Sequence, residues 1–256
     1  MNDKLNAELI CLFPTTIYSG TISENLTKEQ IEFINKIHKF SSVKNHGNSI
    51  SYDKTDNRIN PRKGYFISLS QIYTGLGGNI RNIKHQGSSS YFIPIINNNN
   101  DVILKLTGKA GEIRGIGEDV NIQNNFFLGG NDIRGFSIYG IGPRVQNINN
   151  INNNEAVGGK IYYIGSVELR FPMGLPRELG INGALFWDNG VVKGVDKSIK
   201  KIAPISDSGN LRSSVGFSIF WSSPMGPIRL DFAKILQKTK YDRSQTFNIN
   251  FGTNLF

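Results

Sequence analysis

The residues of this chain best suited to chemistry lie in one glycine-rich stretch. It comprises Gly129, Gly130, Asn131, Asp132, Ile133, Arg134, Gly135 and Phe136, and runs on to Gly140-Ile141-Gly142-Pro143-Arg144. Glycine at this density lets the backbone double back and enter positive φ. Ile133 and Phe136 give the turn apolar surface to pack, and Arg134 supplies a planar fork of N–H donors. Phosphate is the first ligand such a loop suggests. A Walker loop ends in Gly-Lys-Ser/Thr, however, and a dinucleotide fingerprint passes from strand through glycines into helix. No helical period follows Gly135, which argues against nucleotide binding. Composition alone would make the stretch an ordinary long surface loop.

No other constellation competes with it. Cys11 is the single cysteine, so there is neither an intramolecular disulfide nor a thiolate metal cluster. His38, His46 and His85 are scattered, and Asp/Glu pairs at metal-ligand spacing are missing. The chain therefore reads as a non-enzyme with no cofactor. The net charge is +9 over 256 residues, but lysine and arginine are dispersed. A nucleic-acid binder would gather them among stacking aromatics, so no nucleic-acid partner is expected. The charge reads as loop and lumen decoration, with attraction to anionic lipid head groups. No run of about 18 apolar residues offers a membrane helix. The start, Met1 to Asn6, lacks the apolar core of a secretory signal.

The elements that must position the loop follow from periodicity. Residues 1–45 read as an irregular segment with a strand over Leu9–Tyr18 and a short helix over Thr27–Ile37. That helix would show Ile31, Ile34 and Ile37 as a narrow stripe. From residue 46 to 256 the period becomes two. Strands are predicted at Ser49–Asp53, Tyr65–Tyr73, about 80–96, 102–114, Lys160–Phe171, Leu179–Asp188, Leu211–Trp221, Ile228–Ala233 and 246–256, about nine in all. Asn147–Asn154 is a low-complexity run expected to be mobile. The fold class is all-β and antiparallel. In the last strands Ile228, Leu230, Phe232, Phe247, Ile249, Phe251 and Leu255 occupy one face, while Arg229, Asp231, Asn248, Asn250 and Asn254 occupy the other. A soluble sandwich would turn the apolar face inward, and a transmembrane barrel would turn it to lipid. Strand length favours the barrel, as do aromatics placed near strand ends (Tyr163, Phe171, Trp187, Trp221 and Phe256). Periodicity by itself leaves both open.

Several stretches, in order, resemble one family. Ile133-Arg134-Gly135-Phe136 after Gly129-Gly130 resembles the (Val/Ile)-Arg-Gly-(Phe/Tyr) loop of the BamA family of outer-membrane assembly proteins, also called the bacterial surface antigen family. Tyr52-Asp53-Lys54-Thr55-Asp56-Asn57 with Pro61-Arg62-Lys63-Gly64 resembles a turn of that family. Gly75-Leu76-Gly77-Gly78, Gly140-Ile141-Gly142-Pro143-Arg144, Leu175 to Gly180 and Phe186 to Gly190 are also similar to family stretches, and Ser223-Pro224-Met225-Gly226-Pro227-Ile228-Arg229 with Asp231-Phe232-Ala233 resembles the family's penultimate hairpin. The likeness covers about residues 47–256.

The resemblance implies an outer-membrane β-barrel of a Gram-negative bacterium, with a long loop entering its lumen. It implies that acidic residues of the inner wall hold the loop arginine: Glu168 and Asp188 for Arg134. It implies a protein that inserts other barrels, with outer-membrane lipid, nascent outer-membrane proteins and assembly-complex lipoproteins as partners. Phe256 would serve as the terminal aromatic signal, although it falls off the register of Phe247, Ile249, Phe251 and Leu255. Family barrels have about sixteen strands preceded by periplasmic repeats. The chain is thus expected to be the carboxyl-terminal barrel portion of such a protein. The competing expectations are a passive channel or surface antigen formed as an oligomer, and a soluble β-barrel holding a small apolar ligand.

Overall fold

The structure, a computed structural model, describes residues 6–10, 45–58, 60–75, 81–96, 102–146, 154–202, 204–223 and 226–252. Ten strands form one sheet. They are β1 (Asn6–Ile10), β2 (Asn45–Asp53), β3 (Gly64–Thr74), β4 (Asn82–Ile96), β5 (Val102–Gly115), β8 (Ile161–Pro172), β9 (Ile181–Lys193), β11 (Arg212–Ser223), β12 (Gly226–Gln237) and β14 (Phe247–Phe251). Order in the sheet equals order in the chain, and each neighbouring pair is antiparallel. This is a meander, the topology that consecutive hairpins give without crossovers. The nine strands from β2 onward correspond to the alternating segments of the sequence.

Two-residue strands tie the connections together. β6 (Gly135–Phe136) pairs with β13 (Ser244–Gln245), and β7 (Arg144–Val145) pairs with β10 (Ile205–Ser206). The polar connection before β11 also holds one short helix, α1 (Lys197–Ile202). Between Pro94 and Ile96 the β4–β5 register shifts, as a proline that offers no amide to a ladder requires.

Exposure separates the two barrel hypotheses. Along β9, Leu185 and Trp187 are 52% and 50% exposed, while their inward neighbours Phe186 and Asp188 are 4% and 1% exposed. The apolar face thus looks out and the polar face is buried, opposite to a soluble sandwich. What buries the polar face is the chain between β5 and β8. Its residues Phe126, Leu128, Ile133, Phe136 and Ile141 join Ile113, Tyr162, Ile164 and Val192 of the wall in one apolar cluster. A strand of 12 residues such as β8 is about 40 Å long and, tilted by about 45°, rises through roughly the thickness of a bilayer core.

Several sequence expectations change or fall elsewhere. Trp187 does not end its strand, because β9 runs on to Lys193; alternation alone could not show that Val191 and Val192 continue it. Leu179 lies in a 3₁₀ turn (Arg177–Leu179) just before β9. The amino-terminal strand is Asn6–Ile10, paired with β2. The rest of the expected Leu9–Tyr18 strand, the Thr27–Ile37 helix, the 76–78 glycines, the 147–153 asparagines, Pro224-Met225 and Phe256 lie outside the described residues. Asn154 is described and buried.

If the exposed apolar face meets lipid, Leu185→Arg should lower stability of the vesicle-inserted chain by about 2–4 kcal/mol. In a water-facing sheet the same substitution should change stability by less than about 0.5 kcal/mol. Urea unfolding from vesicles distinguishes the two.

Candidate functional site

The strand register assembles the site before the loop arrives. Neighbouring pairs place Ser166 beside Asp188, Asp188 beside Ser214, and Glu168 beside Phe186, all on the inner face. Gly216 stands next to Phe186 in β11. A Cβ there would lie 2.4 Å from the Phe186 ring and 2.2 Å from the Phe232 carbonyl oxygen. The ring can therefore lie flat over the wall only because residue 216 is glycine.

The glycine-arginine loop descends onto this surface. Ile133 is fully buried and Phe136 nearly so, so the apolar residues flanking the arginine anchor the turn in the cluster described above. Gly135 adopts φ +93°, and a Cβ there would press on Ala233, Ser214 and Ile235. Positive φ and close approach to two strands both call for glycine.

Arg134 lands between two carboxylates. Its Nε donates to Asp188 Oδ2 at 2.7 Å and one terminal nitrogen to Asp188 Oδ1 at 2.8 Å, a bidentate pair. The other terminal nitrogen donates to Glu168 Oε2 at 2.6 Å. Ser218 and Ser166 accept the remaining N–H groups at 3.3 and 3.4 Å. All five guanidinium donors therefore have acceptors. The guanidinium carbon lies 3.6 Å from the centre of the Phe186 ring, so its face is occupied too. The Arg134 amide donates to Asp188 as well, and its carbonyl accepts from the Ser214 hydroxyl. Burial works against the charged guanidinium, but hydrogen bonds and charge from Asp188, then Glu168, outweigh it. The side chain is held more firmly protonated than a free arginine.

The clamp extends in two directions. Glu168 also accepts from Arg170 Nε at 2.8 Å. The Ser218 hydroxyl in turn donates a hydrogen bond to Asp231 Oδ1 at 2.6 Å. Asp231 further accepts from Arg229 in the same strand and from Asn250 of β14, at 3.0 and 2.9 Å. Arg229 reaches back to Asn131 of the loop. Three arginines and three carboxylates thus balance charge in a buried network from β8 to β14, although both terminal nitrogens of Arg170 are buried without a hydrogen-bond acceptor and its guanidinium instead lies 5.2 Å from the Phe220 ring.

A second buried ion pair was not foreseen. Arg212 donates to both Asp242 oxygens and to Thr239 Oγ1, which fixes the connection between β12 and β14. That connection in turn hydrogen-bonds to Ser137 and Gly140 of the loop through Arg243. The serines, Phe186 and Asp231 were missed for one reason: only the register puts them under the arginine. Arg144, which closes the glycine run, is 1% exposed and donates to the carbonyls of Asn154 and Tyr139. It is part of the loop's own scaffold. Gly129 and Gly130 both take positive φ at the head of the turn. No group of metal ligands occurs among the described residues.

The Omp85 superfamily domain model matches residues 18–255. The outer membrane protein assembly factor BamA of Neorickettsia risticii is 36% identical over 205 residues, which cover 80% of this chain and 26% of that protein. BamA of Neisseria meningitidis serogroup B is 28% identical over 78% of this chain and 27% of its own length. The human sorting and assembly machinery component 50 homolog is 25% identical over 68% of this chain and 37% of its own. The crystal structure of BamA from Haemophilus ducreyi lacking POTRA domains 1–3 shares the fold. Its TM-score is 0.71 at 21% identity, covering 82% of this chain and 42% of that one. The chain spans about a quarter of the length of the bacterial relatives it matches.

Arg134→Ala should destabilise the folded chain by about 3–5 kcal/mol, because it leaves Glu168 and Asp188 buried without their cation. Combining it with Glu168→Gln and Asp188→Asn should recover much of that loss; urea midpoints and loop proteolysis report both. Gly216→Ala should cost about 1–3 kcal/mol by overpacking and should open the loop to protease with every charge of the clamp still present.

Proposed function

The chain belongs to the Omp85 superfamily, and from that membership we propose that it is barrel wall of an outer-membrane assembly factor that inserts other β-barrels. Its site of action is the outer membrane of a Gram-negative bacterium. Residues 46–256 supply the wall, and residues 1–45 form a segment joined to it through β1. The clients are nascent outer-membrane proteins, received together with assembly-complex lipoproteins. The chemistry is non-covalent: a sheet edge offers unpaired N–H and C=O groups, and an incoming strand pairs with them.

The observation that carries this reading is the continuity from Arg134 through Ser218 and Asp231 to Asn250. Asn250 lies in β14, which among the described residues pairs with β12 alone. The loop arginine therefore reaches the edge strand through two intermediates. In this proposal Arg134, Glu168 and Asp188 are positioning residues. They hold Gly129 to Phe136 against the wall, and the wall sets where the edge strand lies. A passive channel fits less well, since the loop occupies the inner face of β5, β8, β9, β11 and β12 through contacts such as Lys109–Asp132 and Arg229–Asn131.

The test is to reconstitute the chain in vesicles and follow the folding rate of an added, urea-unfolded outer-membrane β-barrel. Faster folding than in empty vesicles is expected, with Asn250→Ala reducing the acceleration and leaving the chain's own folded yield unchanged. Steady ion conductance without acceleration would overturn the proposal in favour of the channel.

A further inference from the structure

The lipid-facing side of the wall is not uniform. Cross-strand pairing sets Leu69, Gly87, Ala110 and Tyr163 in one row, and Ile67, Ser89, Gly108 and Gly165 in the row beside it. The middle of both rows is almost without side chains. A Cβ at Gly108 would meet only Ser89 Oγ, at 3.4 Å, and one at Gly165 would meet nothing within 4 Å. Large exposed residues stand around this floor: Leu69, Tyr91, Leu106 and Tyr163. Two neighbouring cavities result. One of about 650 Å³ is apolar at Leu69, Ala110 and Tyr163 and polar at Gln71, His85 and Glu112, and one of about 360 Å³ is lined by Tyr65, Ile67, Tyr91, Leu106 and Gly108. Both fall within the size range of ligand sites.

The smaller cavity opens toward the β2–β3 turn, where the chemistry changes. Tyr52, Tyr65 and Tyr91 form a ladder across three strands, with ring centres 5.9 and 6.3 Å apart. Tyrosines at one level of a lipid-facing wall mark the depth of the head groups. Lys54 Nζ stands 5.6 Å over the Tyr52 ring. The turn carries four cations, Lys54, Arg58, Arg62 and Lys63, against Asp53 and Asp56. Asp53 pairs with Arg58 at 3.5 Å, which leaves the turn with a net excess of two positive charges, and both carboxylates also build the turn. Asp53 accepts from the amide and hydroxyl of Thr55, and Asp56 accepts from the amides of Arg62 and Lys63 at 2.9 and 3.1 Å. An apolar trough, an aromatic ladder and a cationic turn therefore succeed one another along β3.

We propose that this wall binds one anionic phospholipid, its acyl chain lying over Ser89 and Gly108 and its phosphate at the Lys54–Lys63 turn. The occupant is anionic because the excess charge of the turn is positive and sits at head-group depth, where each lysine near an anionic surface strengthens binding by about fivefold. The inference rests on the proposed membrane-facing role of this wall.

Native mass spectrometry of the full chain, refolded in detergent and offered phosphatidylglycerol or phosphatidylcholine, tests it. Wild type should keep phosphatidylglycerol preferentially. Lys54→Gln should lower that retention about fivefold, and Lys54→Gln with Lys63→Gln should abolish the preference. Gly108→Phe should lose both lipids. Should that variant not shift between unheated and boiled gels, Gly165→Leu blocks the same floor at a position with open space. Equal retention of the two lipids by wild type, retention unchanged in a folded floor variant, or a lipid-free dimer seated on this face would each overturn the site. Vesicle flotation separates this failure from that of the underlying reading. A chain that fails to float overturns the membrane-facing wall itself, whereas one that floats without head-group preference overturns the lipid site alone.

Discussion

A guanidinium buried between two carboxylates is the constraint on which the rest of the structure depends. An arginine removed from water must be matched donor for donor, or its desolvation exceeds what the fold can offset. Arg134 is matched in this way. Asp188 takes one edge of the fork, Glu168 and two serines take the rest, and Phe186 covers a face. Meeting that demand requires side chains from three strands to stand at fixed heights on one wall. The register of β8, β9 and β11 is therefore tied to the loop, and the loop to the register.

The same constraint explains why the sheet is inside out. Carboxylates, serines and arginines line the inner face because the loop and the network need them there. The apolar residues are left on the outside, where Leu185, Trp187 and Phe232 remain exposed. Such a wall is stable only against an apolar solvent. Burying the loop and facing lipid are thus two consequences of one alternation, read from its two sides.

Much of this alternation was legible in the chain. Strands of period two, their number and the shared face of Glu168 and Asp188 follow from local spacing. That those two carboxylates belong to Arg134 came from family resemblance, since nothing local links residues 34 and 54 positions apart. Phe186 and Gly216 show why the remainder was hidden. Each looks ordinary in its own strand, and only the pairing of β9 with β11 shows that one needs the space the other leaves. The buried position of Arg144 was hidden for a related reason. Its flanking glycines and proline suggest a surface turn, yet its partners are the carbonyls of Asn154 and Tyr139, which a chain reading does not bring near. Arg212 and Asp242 lie 30 positions apart and meet through the same kind of long-range closure.

The two buried arginines also divide the work of holding the last strand. Arg134 acts on it from within the lumen, through Ser218 and Asp231 to Asn250. Arg212 acts from the connection before it, by fixing Asp242 and Thr239 so that Arg243 can meet Ser137 and Gly140 of the loop. β13 then pairs with Gly135–Phe136, the residues that follow the clamped arginine. The edge strand is therefore joined to the loop at both its middle and its entrance. Moving it away from the wall would have to strain one buried ion network or release the other. Buried networks of this kind have few intermediate arrangements, because a partly satisfied one is worse than either a whole or an absent one. Under the proposed function, an edge held this way should move between discrete positions only when the network around Arg134 opens.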